Sequence, residues 1–74
     1  MNRKRRKKIS DIIILLEACV DSLQNVMDEE QDSLDNIPES LQYSDKGNLM
    51  EDAIDTLQNA CDQIDEIANE LKQL

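Results

Sequence analysis

Basic side chains that could bind an anionic ligand are concentrated near the start of this chain. The run Arg3-Lys4-Arg5-Arg6-Lys7-Lys8 contains six of the eight basic residues, and all seventeen acidic residues lie at positions 9–74. Such a run binds nucleic acid by neutralising phosphates and releasing counterions, or an anionic membrane surface by charge attraction. Arg3, Lys4, Arg5, Arg6, Lys7 and Lys8 are therefore candidate polyanion-binding residues, although no aromatic side chain stands beside them to stack on bases.

The basic run has a second reading within the molecule itself. If the chain forms an antiparallel hairpin, its start lies beside its end, where Asp62, Asp65, Glu66 and Glu70 are found. The run would then neutralise acidic side chains of its own chain through weak exposed pairs. Positive charge at a helix N-terminus also opposes the macrodipole, so we expect residues 1–8 to form a frayed tail.

Metal, redox and catalytic chemistry are poorly supported. Acidic side chains cluster between Asp28 and Asp35, but the chain has no His to complete a helical carboxylate site. We therefore expect no metal, no cofactor and no enzymatic activity. The acidic residues form either an ordinary solvated face or a surface that resembles phosphates and binds a basic protein. Cys19 and Cys61 are expected to be reduced, small core residues. Without a secretory context they are typical of a cytoplasmic protein.

Two periodic segments must position these groups. In a heptad register (abcdefg) that starts at Ile9, apolar residues or Cys fill most a, d and e positions through Leu34, with Glu30 and Ser33 as interruptions. This period predicts a first helix over about residues 5–35. Fraying, or a polar contact that fixes register, could explain the two interruptions.

The second half repeats the period without interruption from Met50 to Leu74 and predicts a second helix over about residues 45–73. Residues 36–48 form the connection, in which Pro38 ends or kinks the first helix. Either Ser44 or Asn48 could cap the second helix. Ile37, Leu41 and Tyr43 are expected to plug the closed end, and they are candidate contacts for a protein partner.

The predicted fold is all-α: an antiparallel two-helix hairpin over residues 9–74. Because apolar e positions widen each stripe beyond a two-helix seam, we expect the hairpin to dimerise into a four-helix, coiled-coil-like bundle. No segment approaches the roughly 20 apolar residues of a membrane span. The candidate oligomer core comprises Ile9, Ile12, Ile13, Leu16, Val20, Leu23, Met27, Met50, Ile54, Leu57, Ile64, Ile67 and Leu71.

The basic start Asn2–Lys8, the segment Pro38-Glu39-Ser40-Leu41-Gln42 and the region of Gly47 and Met50 together resemble a group of short helical-hairpin proteins from phages and prophages of Gram-positive and gut bacteria. The likeness extends over most of the chain, and its specific part is the central segment. It implies a setting rather than an activity.

Three functional expectations follow. The first is a non-enzymatic protein that self-associates and binds a protein partner, as a phage accessory or anti-defence factor. The second is a nucleic-acid-associated protein that uses Arg3–Lys8. The third is a protein that holds a small anionic ligand between subunits.

Overall fold

The computed structural model describes all residues, 1–74, and contains only helices. Helix α1 spans Arg3–Asn36, the short α2 spans Glu39–Gln42 and α3 spans Asp45–Lys72. Helices α1 and α3 pack against each other along their length in antiparallel directions, giving a rod with principal-axis extents of 59 × 15 × 12 Å. The predicted all-α helical hairpin is confirmed.

Helix α1 begins at Arg3, so the basic run forms its first turns. The Asn2 side chain caps the helix by accepting a hydrogen bond from the backbone N–H of Arg5 at 2.9 Å. The expectation that residues 1–8 fray was therefore wrong. The cap satisfies one of the free N–H groups, and the long apolar period that follows propagates the helix, which together outweigh the unfavourable macrodipole.

Helix α1 also continues unbroken through Glu30 and Ser33 to Asn36. The prediction that α1 frays at these interruptions is therefore wrong. The alternative, a polar contact that fixes register, has no counterpart within the chain, because neither side chain forms a hydrogen bond or ion pair there. The helix ends where Ile37 adopts an extended backbone (φ −76°, ψ 150°), as expected for a residue that precedes Pro38.

The seam between α1 and α3 is built from a and e positions. Six apolar residues are buried. One is at an a position, Met50, and five are at e positions: Ile13, Val20, Leu34, Cys61 and Ala68. The remaining a residues are half-buried beside them. Small side chains at Cys61 and Ala68 let the α3 backbone approach α1 closely, which leaves the d positions outside the seam.

The chain reverses through Pro38 and α2 into α3, whose N-cap is Ser44 rather than Asn48. The Ser44 hydroxyl does not cap α3. It donates backwards to the Leu41 carbonyl, while the Asn48 N–H donates to the Ser44 carbonyl at 2.9 Å. Ser44 thus links α2 to α3 and fixes the turn between them.

Gly47 is essential to this turn, which gives a first prediction. A Cβ atom at position 47 would lie 2.1 Å from the backbone oxygen of Gln42. Alanine favours helix over glycine by about 1 kcal/mol, but this clash with backbone cannot be relieved by rotating a side chain. We expect Gly47→Ala to lower the free energy of unfolding by about 1–3 kcal/mol, the usual cost of overpacking, in urea titrations followed by circular dichroism.

The matched control is Asn48→Ala at the next, exposed position of the same helical turn. It should change stability by less than about 0.5 kcal/mol. A Gly47→Ala variant as stable as the control would contradict the close approach of α2 to α3.

Candidate interaction surfaces

The two long faces of the hairpin differ sharply in polarity. Because α1 and α3 are antiparallel and meet through a and e, their d positions lie on the same side of the molecule. On this side Leu15, Cys19 and Ile64 line an apolar groove of about 710 Å³, whereas Ser33 and Lys46, both at d, line a polar groove at the closed end. We call this side the apolar face and define it by Ile12, Leu15, Cys19 and Val26 of α1 with Ala53, Ala60, Ile67 and Leu74.

The opposite face carries the b positions and is polar. Its α1 members include Glu17 and Gln31, and its α3 members include Glu51 and Lys72. The Lys72 ammonium lies 3.2 Å from a Glu17 carboxylate oxygen, the one ion pair between the two helices. Both side chains are about half exposed, so this pair contributes little to stability. It shows that these two b residues lie on the same side of the molecule.

The structure separates the two thiols. Cys61 is 1% exposed and its Sγ lies 4.0 Å from the Val20 carbonyl oxygen, whereas Cys19 is exposed on the apolar face. The expectation that both are core residues is right for Cys61 and wrong for Cys19. The d position is outside the α1·α3 seam, and only a further molecule could cover it.

This separation predicts a large difference in thiol reactivity. In dilute native protein, an alkylating reagent should modify Cys19 first, with Cys61 reacting roughly a hundredfold more slowly because it must wait for the hairpin to open. Peptide mass spectrometry of time points measures both rates. Urea should abolish the difference, and equal rates without urea would contradict the burial of Cys61.

The basic run does not neutralise the acidic end of α3. All six side chains are exposed, and Lys7 alone forms an ion pair, at 2.7 Å to Asp11 on the same helix. The expected pairing with Asp62, Asp65, Glu66 and Glu70 is therefore absent.

The reason lies in the register of the hairpin. Ile9 and Ser10 line a groove with Leu71 and Lys72, so α3 ends beside the second and third turns of α1. Arg6 lines the same groove beside Leu74, and the start of α1 continues past the end of α3, so the charges of the basic run are exposed to solvent.

The predicted oligomer core divides into two groups. Ile13, Val20 and Met50 are buried in the seam of the single chain, whereas Ile12 and Ile67 remain exposed on the apolar face. The other eight are half-buried along the seam: Ile9, Leu16, Leu23, Met27, Ile54, Leu57, Ile64 and Leu71. Sequence reasoning missed Leu15, although its g position next to the d stripe was a signal that could have found it.

Two of the three residues expected to plug the closed end do not do so. Tyr43 is 84% exposed and Leu41 is 46% exposed, whereas Ile37 is half-buried and lines a groove with Met50. Leu49, a turn into α3, is exposed as well. We call Ile37, Leu41 and Tyr43 the tip residues.

No three Asp, Glu, Cys or His side chains converge in a way that could hold a metal ion. No helix is long and apolar enough to cross a bilayer.

No protein-family model, curated protein or solved structure matches this chain.

Proposed function

We propose that this chain is a non-enzymatic helical protein that acts by self-association and by binding a protein partner. The observation that supports it is the apolar face, a set of neighbouring d and g residues among which Ile12, Leu15 and Ile67 are about half exposed or more. Exposed apolar patches of this length on a small protein mark interaction sites. The phage accessory or anti-defence setting rests on the resemblance of Pro38–Gln42 and is part of the proposal.

Self-association is tested by light scattering and sedimentation over a range from below one to several hundred micromolar. We expect a reversible monomer–dimer equilibrium and a melting temperature that rises with protein concentration, because association stabilises only the folded chain. A monodisperse monomer throughout this range would contradict the proposal.

Partner binding is assigned to the tip residues Ile37, Leu41 and Tyr43, because Leu41 and Tyr43 are exposed apolar side chains at the end of the rod and are not part of the apolar face. A tagged chain should retain a host protein from lysate, and Tyr43→Asp with Leu41→Asp should abolish that retention without changing the oligomeric state. Retention that depends on Leu15 but not on the tip would place the partner on the other surface.

A second candidate function, binding to nucleic acid, is favoured by one specific observation. Arg3–Lys8 forms an ordered helical end whose charges, apart from Lys7, have no acidic partner. If all six residues contact phosphates, the logarithm of affinity should fall against the logarithm of salt concentration with a slope near −5.

The test replaces all six basic residues with Gln, which preserves helix propensity, and measures DNA and RNA retention by fluorescence anisotropy. Binding should disappear. The control, Lys46→Gln with Lys72→Gln, neutralises both basic residues outside the run and should bind like the natural chain. Equal binding before and after the sixfold replacement would reject this function.

A further inference from the structure

We propose that two copies of this chain pack their apolar faces together in antiparallel orientation, with α1 on α1 and α3 on α3, around a twofold axis that passes beside Cys19. This inference rests on the self-association proposed above and specifies its geometry. Four features support it: the spacing of the exposed residues on α1, the same spacing on α3, the distribution of charge along α1 and the dimensions of the face.

The exposed apolar residues of α1 are symmetric about Cys19. Ile12 and Val26 are each seven residues from it, at successive d positions. In an antiparallel pair of helices that crosses at Cys19, Ile12 lies against the partner's Val26, and Cys19 lies against the partner's Cys19. Leu15 lies near the partner's Ser22, which is small enough to leave it room. The stripe is thus complementary to a reversed copy of itself, as an isologous interface requires.

The stripe on α3 has its own centre, at the same height along the rod. Its d positions within the helix pair Ala60 with the partner's Ile67, small against large, about a midpoint between residues 63 and 64. Cys19 and Ile64 line the same groove, so the two midpoints lie side by side. A single twofold axis therefore serves both helices.

The charges on α1 favour the same orientation. The basic run Arg3–Lys8 and the acidic segment Asp28–Asp35 lie at similar distances on either side of Cys19. Reversal places each basic run beside the partner's acidic segment, with Lys8 nearest the partner's Glu29. A parallel arrangement would instead bring the two basic runs to one end of the dimer and the two acidic segments to the other.

The side of the rod that carries the apolar face is large enough for a stable dimer when its charged ends are included. The Cα atoms of the whole rod extend over 59 × 15 Å. The exposed apolar residues of α1 occupy the middle of this side, and the basic run and the acidic segment flank them. The whole side is comparable with the roughly 800 Å² per partner of a standard protein–protein interface. A second copy supplies a surface of the same length, the same apolar pattern and the opposite charge order.

Crosslinking at Cys19 tests the orientation. Cys61→Ala leaves Cys19 as the single thiol, and a short bismaleimide should then join most chains into covalent dimers at concentrations where light scattering reports a dimer. For the parallel alternative, a chain with Cys19→Ala, Cys61→Ala and Gln63→Cys is mixed with the Cys19-only chain. Position 63 faces Cys19 of the other copy only when the rods are parallel.

The expected result is efficient crosslinking between two Cys19 thiols and little between Cys19 and position 63. Dominant crosslinking between Cys19 and position 63 would overturn the antiparallel geometry while leaving self-association intact. A chain that remains monomeric in light scattering would defeat the self-association itself, so the two failures are distinguishable.

An exchange of charge gives an independent test with an opposite sign for the two geometries. Lys8→Glu or Glu29→Lys alone should raise the dimer Kd by about tenfold, since each substitution acts twice in a symmetric dimer, and the double exchange should restore it. Both positions are exposed in the single chain, so its fold should be unaffected. If Lys8→Glu tightens the dimer, the basic runs lie together and the proposed orientation is wrong.

Discussion

Leu15→Asp should keep the protein monomeric over the whole concentration range in which we expect the natural chain to form the proposed dimer. Leu15 is 65% exposed in the single chain, so a carboxylate there is well solvated and the hairpin should stay folded. In the proposed dimer it lies four residues from the twofold axis and is covered. Burial of an unpaired charge costs about 3–5 kcal/mol. Because the dimer contains two such charges, its Kd should rise by at least about a hundredfold.

The neighbouring residue provides a close control. Ile14 is also 65% exposed on the same turn of α1, but it points away from the apolar face. Ile14→Asp should therefore leave the Kd within about threefold of that of the natural chain. Sedimentation equilibrium of the two variants measures the difference directly. If both variants dissociate, or neither does, the apolar face is not the dimer interface.

The hairpin was predictable because the apolar period is long and nearly continuous, whereas the identity of its seam was not. Stripes at a, d and e are wide enough for either an a/d or an a/e seam. The structure adopts a/e because Cys61 and Ala68 are small and admit the bulky Ile13 and Val20 of α1. Which of several small positions allows close approach depends on the packing of both helices together, and a single periodic pattern does not contain that information.

The surroundings of the basic run were mispredicted for a related reason. The sequence places acidic residues near the end of α3, but it does not determine how far α1 extends beyond α3. Helix α1 has 34 residues and α3 has 28, and the surplus lies at the start of α1. The interaction of the basic run with the helix macrodipole is unfavourable, as expected. Its free energy is smaller than the stabilisation from the Asn2 cap and from the packed turns that follow, so the helix forms.

The largest expected loss of stability within a single chain comes from Leu34→Ala. Leu34 is 8% exposed at the closed end of the seam, where it lines a groove with Glu51 and Ile54. Removing a buried leucine side chain costs about 2–5 kcal/mol, because the lost burial is compounded by an incompletely filled cavity. Only seven of the 74 residues are buried. A loss of this size is therefore comparable with the whole stability of so small a domain.

Urea unfolding followed by circular dichroism measures this loss, in the Leu15→Asp background so that self-association does not contribute. Leu49→Ala is the matched control, since Leu49 is 69% exposed and undergoes the same chemical change. It should shift the unfolding free energy by less than about 0.5 kcal/mol. Equal losses at the two positions would mean that the a/e seam does not hold the closed end. The reversal would then depend on the turn formed by α2 and Gly47. We do not expect this, because short hydrogen-bonded turns are unfavourable to form without packed side chains.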